Sequence, residues 1–266
     1  MDISFVLLTW NSEKYISKCL ESLFADMNKT QFSYEIFIVD NGSKDNTIQT
    51  IKSFKDKFTS HIIPIYLEKN RGTTYSRNLA LKRAKGEYIV IMDSDVEVCK
   101  GTIEKLIQIF KHRPNVGMAA PRLIYDDGRL QKSTDDFPTI LSKFRRFFFL
   151  KLIERKEKKA DIGTDIREVD YAISAMWILK RELLHSVGLL DEKIFYAPED
   201  VDYCLRVWQA SYKVVYMPHI TCVHHAQEIS RGFKINRATF EHIRGLIYYF
   251  QKHKYVFRRP KIAYRD

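Results

Sequence analysis

The chain alternates short, almost wholly apolar runs with stretches whose apolar residues recur every three or four positions. Ile3 to Thr9, Tyr34 to Val39, Ile62 to Leu67 and Tyr88 to Met92 are runs of the first kind. Continuous runs of this length, bounded by polar residues, suit strands buried on both faces. Between the first two, Tyr15, Ile16, Cys19, Leu20 and Leu23 recur at helical spacing, with Ser12 placed to cap a helix through Leu23 or Phe24. Asp45 or Asn46 opens a second helix through Ile48, Ile51 and Phe54, and a third carries Tyr75, Leu79 and Leu81. Strand and helix alternating with short connectors specify an α/β fold with a parallel sheet and right-handed crossovers.

The second half is less regular. A helix from Thr102 to Lys111, a strand from Val116 to Pro121 and a hairpin turn at Asp126-Asp127-Gly128 come first. Val169 to Lys180 supplies apolar strands around Ser174-Ala175-Met176-Trp177. A helix starts at Glu199, and Lys213 to Met217 is a short strand ahead of His224-His225. From Phe240 to Phe250, the spacing of Ile243, Leu246, Ile247 and Phe250 predicts a helix packed back on the body, followed by basic Arg258, Arg259, Lys261 and Arg265. With no internal repeat and no low-complexity linker, the expectation is one domain overall, divided into halves at residues 1–121 and 122–266.

The chemistry gathers where strands end. The run from Tyr88 stops at Asp93-Ser94-Asp95. If the chain stays extended there, Asp93 and Asp95 point the same way. Side-by-side carboxylates repel unless a cation sits between them, and Mg²⁺ or Mn²⁺ with a diphosphate completing the shell is the economical answer. The plainer alternative makes Asp93 a helix cap and Asp95 a solvated turn residue. Open parallel sheets, however, bind ligands at the carboxyl ends of their strands. Here those ends carry Thr9 to Asn11, Asp40 to Ser43, Asn70 to Gly72 and Asp93 to Asp95, which together make a coherent polar site.

Composition narrows the partners. An apolar content of 45% with 29% charged residues is ordinary for a globular protein. The formal net charge of +11 favours anionic partners such as nucleotides, nucleic acid or an acidic membrane surface. Cys19, Cys99, Cys204 and Cys222 show no metal-finger or redox spacing. The opening segment from Asp2 to Leu8 is too short to span a membrane and lacks a secretory start, so a cytoplasmic location is expected. The aromatic and basic stretch from Phe144 to Lys159 reads either as an interfacial membrane helix or acceptor lid, or as a core-packed helix with a solvated tail.

Five motifs occur in a fixed order: Thr9-Trp10-Asn11; Val39-Asp40-Asn41-Gly42-Ser43; Asn70-Arg71-Gly72 with Arg77-Asn78; Asp93-Ser94-Asp95; and Glu199-Asp200-Val201-Asp202 with Arg206. This ordered set, from about Ile3 to about Ser230, closely resembles the family 2 inverting glycosyltransferases of the GT-A fold, in particular the bacterial rhamnosyltransferase-like branch of polysaccharide assembly. The resemblance implies a Rossmann-like, mostly parallel central sheet flanked by helices, with a nucleotide-sugar-binding first half and a C-terminal acceptor-binding half. Asp40 then matches the acid that pairs with N3–H of a uracil or thymine ring. Thr9 and Asn11 match the loop lining the nucleoside, with Asn41 and Ser94 beside them, and Trp10 is either a wall of the base pocket or plain core. Asn70, Arg71 and Gly72 match the loop over ribose and diphosphate, and Arg77 would offset phosphate charge.

By the same resemblance, Asp93 lies near ribose and metal, Asp95 is the direct metal ligand, and His224 completes the site, with His225 an alternative by one register. Asp200 matches the general base, with Glu199 as its neighbour, although Pro198-Glu199-Asp200 is also a good helix start. Ser174, Ala175, Met176 and Trp177 match the acceptor pocket, where Ser174 replaces the relatives' usual Gly. Asp202 and Arg206, four apart, read as a structural ion pair. The implied activity is metal-dependent transfer from a UDP- or dTDP-sugar to a glycan, lipid-linked at the inner face of the membrane. Nucleotidyl transfer would want a Gly-rich phosphate loop after the first strand, where Thr9-Trp10-Asn11 stands. A nucleic-acid-binding role would want a recognition module rather than dispersed cations.

Overall fold

The computed structural model describes residues 1–142, 163–226, 237–260 and 262. Ile3–Thr9 (β1), Ile16–Met27 (α1), Tyr34–Asp40 (β2), Thr47–Lys57 (α2), Ile62–Tyr66 (β3), Thr73–Leu81 (α3) and Tyr88–Asp93 (β4) follow one another as the periodicity predicts. β1 pairs in parallel with β2 on one side and β4 on the other, and β3 forms the outer edge beyond β2. The runs are uniformly apolar because both faces of these strands are covered. Ile3, Phe5 and Leu7 pack with Ile16, Leu20 and Leu23 of α1, whereas Val6 packs with Phe37 and with Leu81 of α3 on the opposite face.

Val96–Val98 (β5), Thr102–His112 (α4), Val116–Ile124 (β6), Thr134–Asp135 (β7), Arg167–Glu168 (β8), Tyr171–Ala172 (β9), Met176–Lys180 (β10), Leu183–Ser186 (α5), Glu199–Gln209 (α6), Lys213–His224 (β11) and Arg237–His253 (α7) complete the described elements. The main sheet runs β3-β2-β1-β4-β10-β6-β11-β5, with β8 beside β11. β10 is antiparallel to both β4 and β6, so the second half of the chain continues the sheet of the first. The fold class is as expected: a mostly parallel central sheet between helices.

Several expectations need correction. Ser12 does not cap α1 with its side chain; its carbonyl accepts from the amides of Tyr15 and Ile16. Its hydroxyl instead meets Ser94 Oγ at 2.8 Å. The strand expected to stop at Met217 runs on to His224, because a register shift between Met217 and Thr221 accommodates Pro218 without ending the pairing with β6. The turn at Asp126-Asp127-Gly128 forms as predicted, with Tyr125 and Arg129 bonded across it.

α7 packs only partly as anticipated. Tyr249 and Phe250 are buried, but Ile243 and Ile247 are 53% and 55% exposed. Its backbone rests on the segment ahead of α6: a Cβ added at Gly245 would lie 2.1 Å from the carbonyl oxygen of Ala197. Its C-terminal end is tied down by Asp202, which takes Lys252 Nζ at 2.6 Å, His253 Nε2 at 2.8 Å and Arg206 Nε at 2.9 Å. The predicted Asp202–Arg206 pair is therefore present. Burial alone would raise the Asp202 carboxyl, yet His253, Arg206 and Lys252 hold it down to about 2. The stretch from Phe144 to Lys159, read above as either an interfacial helix or acceptor lid or a core-packed helix, lies outside the described residues, as do Lys261 and Arg265.

Candidate active site

The ends of β1 and β2 are in register at Thr9 and Asp40. Asp40 Oδ2 accepts from the amides of Gly42 and Ser43 at 3.2 and 3.0 Å, closing the turn after β2. Asp40 Oδ1 and Thr9 Oγ1 are both buried with no hydrogen-bond partner. Buried polar atoms are almost always satisfied, so two orphans on adjacent strand ends stand out. Trp10 is 45% exposed, which removes it from the core. Asn11 adopts φ 49°, a left-handed conformation that Asn tolerates, and its amide donates to Ser43 Oγ while its Oδ1 accepts from Lys44 N.

Asn41 is buried and bonded within the protein. Its Oδ1 accepts from Arg71 N at 2.8 Å and Ser76 Oγ at 2.9 Å, and its Nδ2 donates to Asn70 Oδ1 at 3.1 Å. It thus shapes the loop at residues 70–72 rather than facing the cleft. Arg71 is exposed, with its guanidinium 4.6 Å over the Tyr75 ring. Gly72 is needed for a close approach, but of polypeptide: a Cβ there would lie 2.4 Å from the carbonyl oxygen of Phe195, and its φ of 88° suits Gly alone. Asn78 reinforces that junction, its amide donating to Leu190 O and Glu192 Oε1, both at 2.9 Å.

Asp93, Asp95 and His224 each bring a ligand atom within 4.8 Å of the others. His224 reaches the two acids because β11 pairs antiparallel with β5, setting His224 opposite Val96. His224 Nδ1 lies 2.7 Å from Gln131 Oε1, and its Nε2 lies 3.4 Å from Asp95 Oδ1. With Gln131 accepting from Nδ1–H, the Nε2 lone pair turns toward the acids. His225 goes the other way, as neighbours on a strand must: it bonds Glu97 at 2.5 Å and stacks on Tyr15 with centroids 5.3 Å apart. Asp95 Oδ1 is buried without an aligned donor.

Burial and the neighbouring Asp95 raise the Asp93 carboxyl against the pull of Arg77. For His224, burial lowers and the two aspartates raise, and the aspartates prevail. This is the electrostatics of a site short of positive charge, and two carboxylates with one imidazole suit a divalent cation of the Mn²⁺ or Mg²⁺ type. Ser94 takes no part in it; its hydroxyl is committed to Ser12.

Arg77 corrects the sequence reading most sharply. It is 1% exposed and cannot front a phosphate in the cleft. One guanidinium nitrogen donates to Asp93 Oδ1 at 2.6 Å and Ser174 O at 3.0 Å; the other donates to Ser174 Oγ at 2.9 Å and sits 3.6 Å from Glu199 Oε1. Ser174 Oγ in turn donates to Glu199 Oε1 at 2.8 Å. Burial, with the adjacent Asp200 adding to it, pushes the Glu199 carboxyl up to about 8 despite Arg77 and Ser174. Asp200 is only half-buried on the first turn of α6, its Oδ1 accepting from Val201 N at 2.8 Å.

The acceptor residues separate as well. Ser174 belongs to the Arg77 network, whereas Ala175, Met176 and Trp177 are buried in the sheet and cannot line an open pocket. Trp177 Nε1 donates to Ala172 O. Sequence reasoning missed Gln131, which follows a hairpin with nothing around it to signal a role.

The Glycosyl transferase family 2 profile matches residues 4–188. A dolichyl N-acetyl-alpha-D-glucosaminyl phosphate 3-beta-D-2,3-diacetamido-2,3-dideoxy-beta-D-glucuronosyltransferase of Methanococcus voltae is 34% identical over 118 residues, covering 43% of this chain and 36% of that protein. Among solved structures, the Pyrobaculum calidifontis mannosyltransferase PcManGT with GDP-Man and Mn²⁺ superposes with a TM-score of 0.64 at 19% identity, over 97% of this chain and 65% of that one. S. aureus TarS 1-349 with UDP-GlcNAc gives 0.58 at 21% identity, over 88% and 62%. The chain spans between 18% and 64% of the length of the first curated relatives it matches. A family match running from β1 through β10, on a sheet shared with GT-A structures, makes the chain a member of glycosyl transferase family 2.

Proposed function

We propose that the protein catalyses metal-dependent, inverting transfer of a sugar from a UDP- or dTDP-activated donor to a glycan hydroxyl. The observation that carries this reading is the convergence of acids from separate segments on one network: Asp93 and Asp95 beside His224, joined through Arg77 and Ser174 to Glu199. The unpaired Asp40 Oδ1 would accept N3–H of a uracil or thymine ring, and the unpaired Thr9 hydroxyl would donate to a ring carbonyl. Trp10 would form a wall of that pocket, and exposed Arg71 takes the phosphate-facing role expected of Arg77. Asp93, Asp95 and His224 would hold Mn²⁺ or Mg²⁺, which as a Lewis acid would stabilise charge on the diphosphate leaving group.

Inversion demands direct displacement, so a base must take the proton of the incoming hydroxyl. Asp200 suits that role better than Glu199. A group pushed up to about 8 and bonded to Ser174 is a poor proton acceptor near neutrality, whereas Asp200 stands half-exposed on the first turn of α6. In this reading residues 1–121 hold the donor and residues 122–266 receive the acceptor. A lipid-linked glycan fits the dolichyl phosphate substrate in the name of the Methanococcus voltae relative. The names of TarS and of that relative concern N-acetylglucosaminyl and glucuronosyl transfer and lend no support to the rhamnosyl branch.

The test is titration calorimetry with UDP, dTDP and GDP, with and without Mn²⁺. Metal-enhanced binding of a pyrimidine nucleotide, lost in Asp95→Asn and weakened in Asp40→Asn, is expected. Equal binding of GDP would remove the uracil reading, and no nucleotide binding would remove the function. Asp200→Asn should retain nucleotide binding and lose transfer.

A further inference from the structure

α7 buries one side and leaves the other bare. Phe240, Ile243 and Ile247 are 65%, 53% and 55% exposed, and their spacing of three and four residues sets them along one stripe. Arg244, on the same stripe, has a side chain that is 70% exposed, with its guanidinium 3.8 Å from Glu241. Beyond the helix, Phe257 is 77% exposed and followed by exposed Arg258 and Arg259, with exposed Lys254 three residues before. Large aliphatic and aromatic side chains in a row, interleaved with cations, are not the surface of a helix adapted to water alone.

From this stripe we infer that α7 is an interfacial helix that seats the protein on an anionic lipid surface, with Phe240, Ile243 and Ile247 entering the headgroup and acyl boundary and Arg244, Lys254 and Arg258 meeting lipid phosphates. Two features favour a bilayer over a protein partner. A second copy would bring another net charge of +11 against the same cations. A dry protein interface would have to bury Arg244 in the middle of the apolar stripe, whereas at a membrane its long side chain can reach the phosphates while its neighbours sink below them. Among the described residues no helix is long and apolar enough to cross a membrane, so attachment through α7 would be peripheral.

Placement adds a consequence. Gly245 presses α7 directly on Ala197, three residues ahead of Asp200. A bilayer against the exposed side of α7 therefore lies one helix diameter from the segment that carries the proposed base, where the hydroxyl of a lipid-linked acceptor would emerge. That last step rests on the proposed function; the docking itself does not, because it needs neither donor nor turnover.

The experiment is co-sedimentation with vesicles of phosphatidylcholine alone and of phosphatidylcholine mixed with phosphatidylglycerol. The protein should bind the anionic vesicles in a salt-sensitive manner, and Ile243→Glu/Ile247→Glu should reduce the partition coefficient by about tenfold or more. Arg244→Glu should remove mainly the anionic preference. Both changes are at exposed positions, and unaltered far-UV circular dichroism and nucleotide binding would show that the fold survives. Undiminished vesicle binding by the double variant would overturn the proposal. So would failure of the unmodified protein to bind either vesicle, or self-association that the same substitutions abolish.

Discussion

Asp93 and Glu199, from opposite halves of the chain, are held by a single guanidinium: Arg77 lies 2.6 Å from the first and 3.6 Å from the second. Removing the cation would strip Asp93 of its charge partner and leave the buried Glu199 carboxyl without its nearest cation. Arg77→Met is expected to cost about 3 kcal/mol, toward the low end for a broken buried pair because Asp93 is partly open to solvent. Urea unfolding would measure this, and a change of under about 0.5 kcal/mol, the scale of an ordinary surface substitution, would refute the structural role.

Glu199 gives the stability curve a sign. Its carboxyl is raised from 4.5 to about 8. A carboxyl raised on folding contributes nothing adverse below 4.5, where both states are protonated, and stability is lost as pH rises through 8. Glu199→Gln, which keeps an acceptor for Ser174, should therefore gain stability relative to the unmodified protein between pH 6 and pH 9. Parallel denaturation curves across that range would contradict the shift.

Gln131 should matter to a metal it does not touch. Gln131→Leu removes the partner of His224 Nδ1 and frees the ring to rotate or change tautomer. Mn²⁺ affinity should fall by about tenfold or more by calorimetry in the absence of nucleotide, while Gln131→Glu, which keeps an acceptor, should retain most of it. Equal losses in both variants would point to packing rather than orientation.

Gly245→Ala pits two effects against each other. In an open helix the change would stabilise by about 1 kcal/mol. Here the new methyl would stand 2.1 Å from Ala197 O, and backbone on both sides leaves little room to yield. The clash should win, lowering the melting temperature and raising hydrogen exchange in α7. A stabilised variant would mean that the contact is looser than it stands.

Much of this protein is written locally. Polar residues ending four apolar runs pointed to the carboxyl edge of a parallel sheet, and continuous apolar runs alternating with period-three-to-four patterns sufficed for β1 through β4 and the helices between them. Those features depend on neighbours in sequence, which is where hydrophobic periodicity carries information. The ordered motifs then brought the family into view.

What an exposed or buried address does to a side chain could not be read that way. Arg77 looked like a phosphate ligand until α3 turned it inward against Ser174, Asp93 and Glu199, and Trp177 matched an acceptor pocket until β10 took a central place in the sheet. The choice of His224 over His225, and of Gln131 as its partner, follows from the pairing of β11 with β5 and from a contact spanning ninety-three residues. Such facts belong to the tertiary structure alone, because strand order and register decide which distant atoms meet, and nothing in a stretch of neighbouring residues encodes the atoms that will lie across from it.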